Sequence, residues 1–375
     1  MIGGTAGTAA PTRRHTGRDL LQRYRGPIVA AVVAVALLGF VYFVLPQITG
    51  LGATLRRLRS ADPSWIALAV VLEALSLGGY IVLFRTVLSC HAKRIGLRES
   101  YQITMAGVVA SKLLAAAGAG GVALTVWALR ASGLEPREIA RRMLTFELLL
   151  YAVFAGALVV FGVGLRTDVF PGQAPWTLTV VPAAVGAGVI ALTLSLRALP
   201  ANLERSIGGT ARSSRRGRKL LARLAAAPAA LRDGTAIAFD LIRGRHIGVL
   251  GAVAYWGLDI AALWACMHAF GAPPPFPVVV MAYFIGQLGN ALPLPGGIGG
   301  VEGGMIGAFI AFGAHGSLAV LGVLSYRLVS FWLPTLPGAL AYLRLRRTVG
   351  RWRAAAAQSR LAQGTTRASS LSMSS

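Results

Sequence analysis

Six stretches of this chain are apolar over about 18 residues or more, the length a helix needs to cross the ~30 Å hydrocarbon core of a bilayer. They run Pro27–Leu45, Trp65–Leu88, Met143–Leu165, Trp176–Leu196, Ile247–Phe270 and Leu318–Tyr342. With 55% hydrophobic and 13% charged residues in 375, the chain has more apolar surface than a soluble fold of this size can hide. The expected fold class is all-α and polytopic, since a segment in hydrocarbon must satisfy its backbone internally.

Two further apolar stretches, Tyr101–Leu129 and Phe276–Phe312, are interrupted near their middles by glycines. The second carries Pro293-Leu294-Pro295-Gly296-Gly297-Ile298-Gly299-Gly300-Val301-Glu302. Helical backbone cannot run through Pro-Leu-Pro-Gly-Gly, and a lipid-exposed gap would strand N–H and C=O groups at a cost of roughly several kcal/mol each. The break must lie against protein or water. Each stretch therefore reads as a re-entrant hairpin of two half-helices, an arrangement that exposes helix ends and unwound backbone where a polar substrate can meet them.

The formal charge of +24 is concentrated in tails and loops: Arg13 to Arg25, Arg85 to Arg98, Arg197 to Arg245 and Arg344 to Arg367. Such juxtamembrane clusters mark the cytoplasmic side and face anionic lipid. They contain no aromatic-interleaved basic fold, which excludes a nucleic-acid partner. If Tyr101–Leu129 were a full span, both Arg130–Arg142 and the basic central loop would lie outside; a hairpin returns them to the cytoplasm. The exception is Arg56, Arg57 and Arg59, placed on an interfacial helix over Leu51–Ser60. The expectation is a multi-pass plasma-membrane protein with cytoplasmic termini.

Its organisation follows: a basic tail over 1–26, a membrane domain over 27–347 with halves at 27–165 and 176–347, and a cytoplasmic loop at 197–246. In that loop Arg218–Leu231 spaces its leucines as an amphipathic helix. The tail 348–375, rich in Ser, Thr, Gln and Ala beyond Ala357, is expected to be disordered. Cys90 and Cys266 are isolated and offer neither a disulfide nor a metal cluster. The first span is too long, and lacks the cleavage site, for a removable signal.

With that orientation the order span, span, hairpin, span occurs twice, once from each side of the membrane. This is an inverted repeat. Gly118-Ala119-Gly120-Gly121-Val122 matches Gly297-Ile298-Gly299-Gly300-Val301, and Thr145-Phe146-Glu147-Leu148 corresponds to Ser325-Tyr326-Arg327-Leu328. Inverted repeats with broken helices are a transporter architecture, with the site between the two breaks near mid-membrane.

The Pro293–Glu302 run, preceded by Asn290 and followed by Tyr326-Arg327-Leu328, Phe331-Trp332-Leu333-Pro334 and Gly338, resembles the signature of the flippase-like family found as the membrane region of lysylphosphatidylglycerol synthases. The resemblance covers roughly Pro27 to Arg347 and implies a lipid-translocating module. The chain ends soon after its last span, where such synthases continue into an aminoacyl-transfer domain, so lipid aminoacylation is not expected. Its first hairpin has Ala116-Ala117-Gly118-Ala119-Gly120-Gly121 where the family often has a Pro and a Gly-Glu pair. Glu147 matches a family Glu, followed here by Leu148 rather than Arg.

Ionisable residues within apolar segments are expensive and mark candidate sites. They are Glu73, Lys112, Glu147, Asp259, Glu302 and Arg327. Glu147 and Arg327 hold corresponding places with opposite signs and are expected to pair, whether as structural lock or substrate contact. Glu302 is the leading candidate. The helix beginning near Gly299 directs free N–H groups at whatever precedes it, a position suited to a lipid phosphate, with Glu302 taking a headgroup amine or titrating. One wall of the expected groove carries Glu302, Asn290 and the Gly296, Gly297, Gly299 and Gly300 amides; the other carries Gly118–Gly121 and Lys112, with Asp259 in the second span of its half. Gly300, Gly303, Gly304 and Gly307 suit close helix packing.

No Ser/His/Asp set, nucleotide loop, H-E-x-x-H or Asp-rich metal motif is present, so neither enzyme activity nor a cofactor is expected. Two functions lead, ahead of a third, a membrane-embedded transferase acting on lipid-linked substrates, which would need an acid/base pair facing a groove. The first is a flippase moving a polar lipid headgroup between leaflets. The second is a non-transporting membrane subunit that scaffolds or regulates envelope lipid or glycan synthesis, with an envelope-synthesis partner.

Overall fold

The computed structural model describes residues 60–89, 95–113, 119–173, 175–197, 231–291 and 297–372, all within the compact unit Gly52–Ser375. The expectations for the first span, the Leu51–Ser60 interfacial helix (save Ser60), the Arg218–Leu231 helix (save Leu231), Gly118 and Gly296 fall outside those residues. Every regular element among them is helical.

Asp62 opens the first described helix, α1 (Pro63–Ser89), by accepting hydrogen bonds from the Ser64 backbone at 2.9 Å and its hydroxyl at 2.6 Å. These bonds, the hydroxyl's foremost, hold the Asp62 carboxyl below its usual range, as at a helix N-cap. The first hairpin is α2 (Leu97–Leu113) followed by α3 (Ala119–Ala131). Next come α4 (Pro136–Arg166), with Pro136 in its first turn, and α5 (Trp176–Arg197). Residues 231–243 form α6. A 3-10 turn then leads into α7 (Leu250–His268). The second hairpin is α8 (Phe276–Gln287), a 3-10 turn Leu288–Ala291, and α9 (Gly300–Ala311). Finally α10 (Gly316–Arg327) passes through a π-turn, Leu328–Trp332, into α11 (Thr335–Ser372).

Among the described residues, five helical segments are long and apolar enough to cross a membrane: Pro63–Leu88, Pro136–Arg166, Trp176–Ser195, Ile247–His268 and Gly316–Ala355. They coincide with the last five apolar windows of the sequence. The hairpin arms α3, α8 and α9 are too short to span.

Packing is reciprocal between the halves. The two second spans, α1 and α7, form the most extensive contact. The first arm of each hairpin packs on the closing span of the other half: α2 on α11, and α8 on α4. A twofold relation between the halves produces this pattern.

The hairpins themselves close through small residues in one register. A Cβ on Gly107 would lie 3.3 Å from Thr125 Oγ1, and one on Gly304 would lie 3.1 Å from Gly286 Cα. Gly107 stands to Gly286 in the chain as Thr125 stands to Gly304 and Gly121 to Gly300. Of the glycines expected to serve packing, Gly300 abuts Gly289 and Gly304 abuts Gly286. Gly303 and Gly307 face open space.

The C-terminal segment departs from the expectation of disorder. Its helix continues to Ser372. Leu345 and Val349 are fully buried, and Thr348 donates to Gln102 of α2 at 3.0 Å. The many Arg, Ala, Leu and Gln residues of this segment are strong helix formers, and a packed first half nucleates the rest.

Candidate functional site

The best-defined polar feature begins where α9 starts. Gly297 and Gly299 both have left-handed backbone, with φ of 66° and 85°, which only glycine adopts without strain. Gly299 thereby turns its N–H toward Glu302, whose Oε2 accepts it at 2.7 Å. Glu302 Oε1 accepts from Arg327 Nε at 2.6 Å. Both side chains are only 13–14% exposed. The helix end is thus occupied by the chain's own carboxylate, matched by a guanidinium from α10.

Arg327 sits at the last turn of α10, directly before the π-turn. Its guanidinium carbon lies 5.3 Å from the centre of the Phe331 ring, and Lys112 Nζ lies 5.1 Å from the same centre. Both distances suit cation–π attraction. Lys112 comes from the first hairpin, and its position has a backbone cause. Pro334 has no N–H to offer the Ser330 carbonyl four residues earlier, and Lys112 donates to that oxygen at 2.8 Å and to Phe331 O at 3.2 Å. The Thr335 hydroxyl supplies a second donor to Phe331 O at 2.7 Å. π-turns recur at functional positions because they re-aim side chains and free carbonyls.

Behind Lys112 lies a buried acidic pair. Glu73 of α1 and Asp259 of α7 occupy the second spans of their halves and meet at the contact between them, with Lys112 close to both. Asp259 accepts from Tyr283 at 2.5 Å and from Tyr326 at 2.8 Å. These two fully buried tyrosines come from α8 and α10. Sequence reasoning misses them as partners of Asp259. The signal that could find them is a phenol on an otherwise apolar helix face, which has to find an acceptor.

The predicted residues are thus distributed as follows. Glu302, Gly299, Gly300 and Arg327 come together; Lys112 joins them through Phe331, and Asp259 joins through Lys112 and Tyr326. Asn290 is exposed at the α8 end, donates to Gln287 Oε1 at 2.5 Å, and abuts Gly297.

Glu147 does not pair with Arg327. It makes no ion pair among the described residues and lies beside Tyr80 and Tyr151. The expected pairing assumes that corresponding residues meet each other. A twofold axis brings a residue to its own counterpart only when it lies near the axis.

For the two hairpins, the expected facing walls rest partly on Gly118 and Gly296, which lie outside the described residues. Neither arm of the first packs extensively on either arm of the second, and Gly121 abuts Gly107 and Ser111 of its own hairpin. The bridge between them is the π-turn.

The whole membrane part has recognisable relatives. The family model for the lysylphosphatidylglycerol synthase TM region matches residues 28–338. Two proteins of Methanothermobacter thermautotrophicus, each named only as a UPF0104 membrane protein, are similar over most of their length. One is 24% identical over 339 residues, covering 85% of this chain and 95% of the relative. The other is 25% identical over 350 residues, covering 86% and 94%. A third protein of that name and organism is 36% identical over 86 residues, 23% of this chain and 26% of the relative. With its apolar helices, broken hairpins and the match across residues 28–338, this multi-pass membrane protein belongs to the family of the lysylphosphatidylglycerol synthase transmembrane region.

Proposed function

We propose that the protein moves a polar lipid headgroup between leaflets, along the charged line from Glu302 and Arg327 to Lys112. The observation that carries this reading is the Glu302–Arg327 pair at the broken start of α9. A buried ion pair made only for stability is a poor choice, since apolar residues of equal volume do as well or better. At a helix start whose amides favour anions, it offers a lipid phosphate a ready exchange. The phosphate takes over Arg327 and the Gly299 amide, and the released Glu302 receives an amine. The Lys112 ammonium lies next along the same ring of Phe331. A two-tailed lipid would leave its chains in hydrocarbon while only the headgroup follows this line. The proposed setting is the plasma membrane, with both termini and the 197–246 loop cytoplasmic. Membership of a lipid-synthase membrane family agrees with a lipid substrate.

The test is photo-crosslinking in vesicles containing a phospholipid with a diazirine on its headgroup. Adducts mapped by mass spectrometry should fall on 287–302 and 326–332, and should weaken in Glu302→Gln. Adducts confined to the outer ends of the spans would refute a headgroup path and favour a non-transporting subunit.

A further inference from the structure

The charges along this line do not cancel. Arg327 is matched by Glu302. Lys112 then faces two acids, Glu73 and Asp259, which are 4% and 6% exposed. Both oxygens of Asp259 accept tyrosine hydroxyls. Glu73 is held differently: its carboxyl lies within hydrogen-bonding reach of Asp259, yet its Oε2 is buried and has no hydrogen-bond partner among the described residues. Two adjoining carboxylates with one ammonium beside them leave one negative charge uncompensated within a membrane span, and like charges in contact do not both ionise. One proton on Glu73 removes the surplus charge and turns an orphaned acceptor into a donor.

We infer that Glu73 and Asp259 form a binding site for one exchangeable proton, taken up and released as α1 and α7 shift against each other. Uptake forms an O–H bond on the Glu73 carboxyl at the expense of water or buffer on one side; release returns the proton to water on the other. The groups facing Glu73 are known from each neighbouring element. They are Asp259, Tyr255 and Cys266 of α7, Lys112 of α2, and Tyr326 of α10. Tyr283 of α8 reaches the pair through Asp259, and the π-turn presents Ser330 to Tyr326. From α4, Glu147 is placed beside Tyr80 and Tyr151. Lys112 bonds the backbone of the π-turn and borders Arg327, so a change in protonation is felt at the headgroup line. The ligand is a proton rather than a metal ion because Asp259 has both oxygens engaged, and among the described residues no group of three or more His, Cys, Asp or Glu side chains converges to hold a metal. Glu302, the carboxylate at the helix break, is already bonded to Arg327 and Gly299.

That the proton drives headgroup movement rests on the transport reading above; the proton site does not. It is tested first without transport, by infrared spectroscopy of the purified protein in lipid nanodiscs at neutral pH. A protonated carboxylic-acid band that shifts in heavy water should be present, should be lost in Glu73→Gln and should shift in Asp259→Asn. If Glu73→Gln does not fold, the Asp259→Asn shift decides alone. A band that persists in Glu73→Gln but disappears in Glu147→Gln would overturn the proposal, as would the absence of any such band or its displacement by sodium. Coupling is read separately in vesicles loaded with a fluorescent pH dye. Lipid exchange indifferent to an imposed pH gradient overturns the coupling. No lipid exchange at all, with the infrared band intact, overturns the transport reading and leaves the proton site standing.

Discussion

Glu302 performs two tasks with one carboxylate: it closes the start of α9 on Gly299 and neutralises Arg327. Arg327→Met alone should therefore leave a buried charge and cost about 3–5 kcal/mol, whereas Glu302→Leu combined with Arg327→Met should cost much less. Thermal unfolding of the purified variants in detergent checks this, and equal damage from single and double replacement would contradict it. Lys112→Met should cost at least about 1–3 kcal/mol, by orphaning the Ser330 carbonyl and by removing the ammonium beside Glu73 and Asp259. Glu302 is legible in the sequence because a charge beside a Pro-Gly break admits few structural explanations. Its partner is not. Sequence correspondence pairs Arg327 with Glu147, but correspondence under a twofold gives equivalent places, and contact between them requires proximity to the axis.

The hairpins show what apolar length and glycine spacing do together. Both breaks are readable from glycines inside otherwise apolar runs, and both appear as paired half-helices closed at Gly107, Thr125, Gly286, Gly300 and Gly304. The α1–α7 crossing uses the same device: a Cβ on Gly79 would come within 2.9 Å of the Gly251 carbonyl. Gly251→Leu should therefore force the two helices apart and cost at least about 1–3 kcal/mol. Gly303→Ala and Gly307→Ala, with nothing within 4 Å of the added carbon, should be neutral or stabilise by up to ~1 kcal/mol through helix propensity. Melting temperatures of the three variants separate packing glycines from tolerated ones. The π-turn is hidden from sequence reasoning, since its cause, a proline whose lost hydrogen bond is replaced by a lysine on another helix, is tertiary. The long C-terminal helix escapes it for a different reason. The polar end of that segment dominates its composition, while the residues that anchor the helix, Leu345 and Val349, lie just before it.

At the scale of the whole molecule, five of the six apolar windows and both hairpins reappear as the described architecture, and the reciprocal packing of α2 on α11 and α8 on α4 follows from the repeat. The proposed orientation predicts that cysteines introduced at Ser213 and Ser369 in a cysteine-free background are shielded from an impermeant reagent added to intact cells, while one at Gly172 is labelled. Labelling of Ser213 with protection of Gly172 would reverse the assignment of the first hairpin. The line of Glu302, Arg327, Lys112, Glu73 and Asp259 connects elements from both halves, which is the placement a translocation path requires. Headgroup exchange measures that path itself. Purified protein is reconstituted in vesicles with fluorescent phospholipids of anionic, zwitterionic and cationic headgroup, and inner-leaflet dye is followed as it becomes accessible to an external quencher. Exchange should accelerate for at least one headgroup class and fall more than tenfold in Glu302→Gln at normal protein recovery. Exchange no faster than in protein-free vesicles for every class would contradict a translocation path.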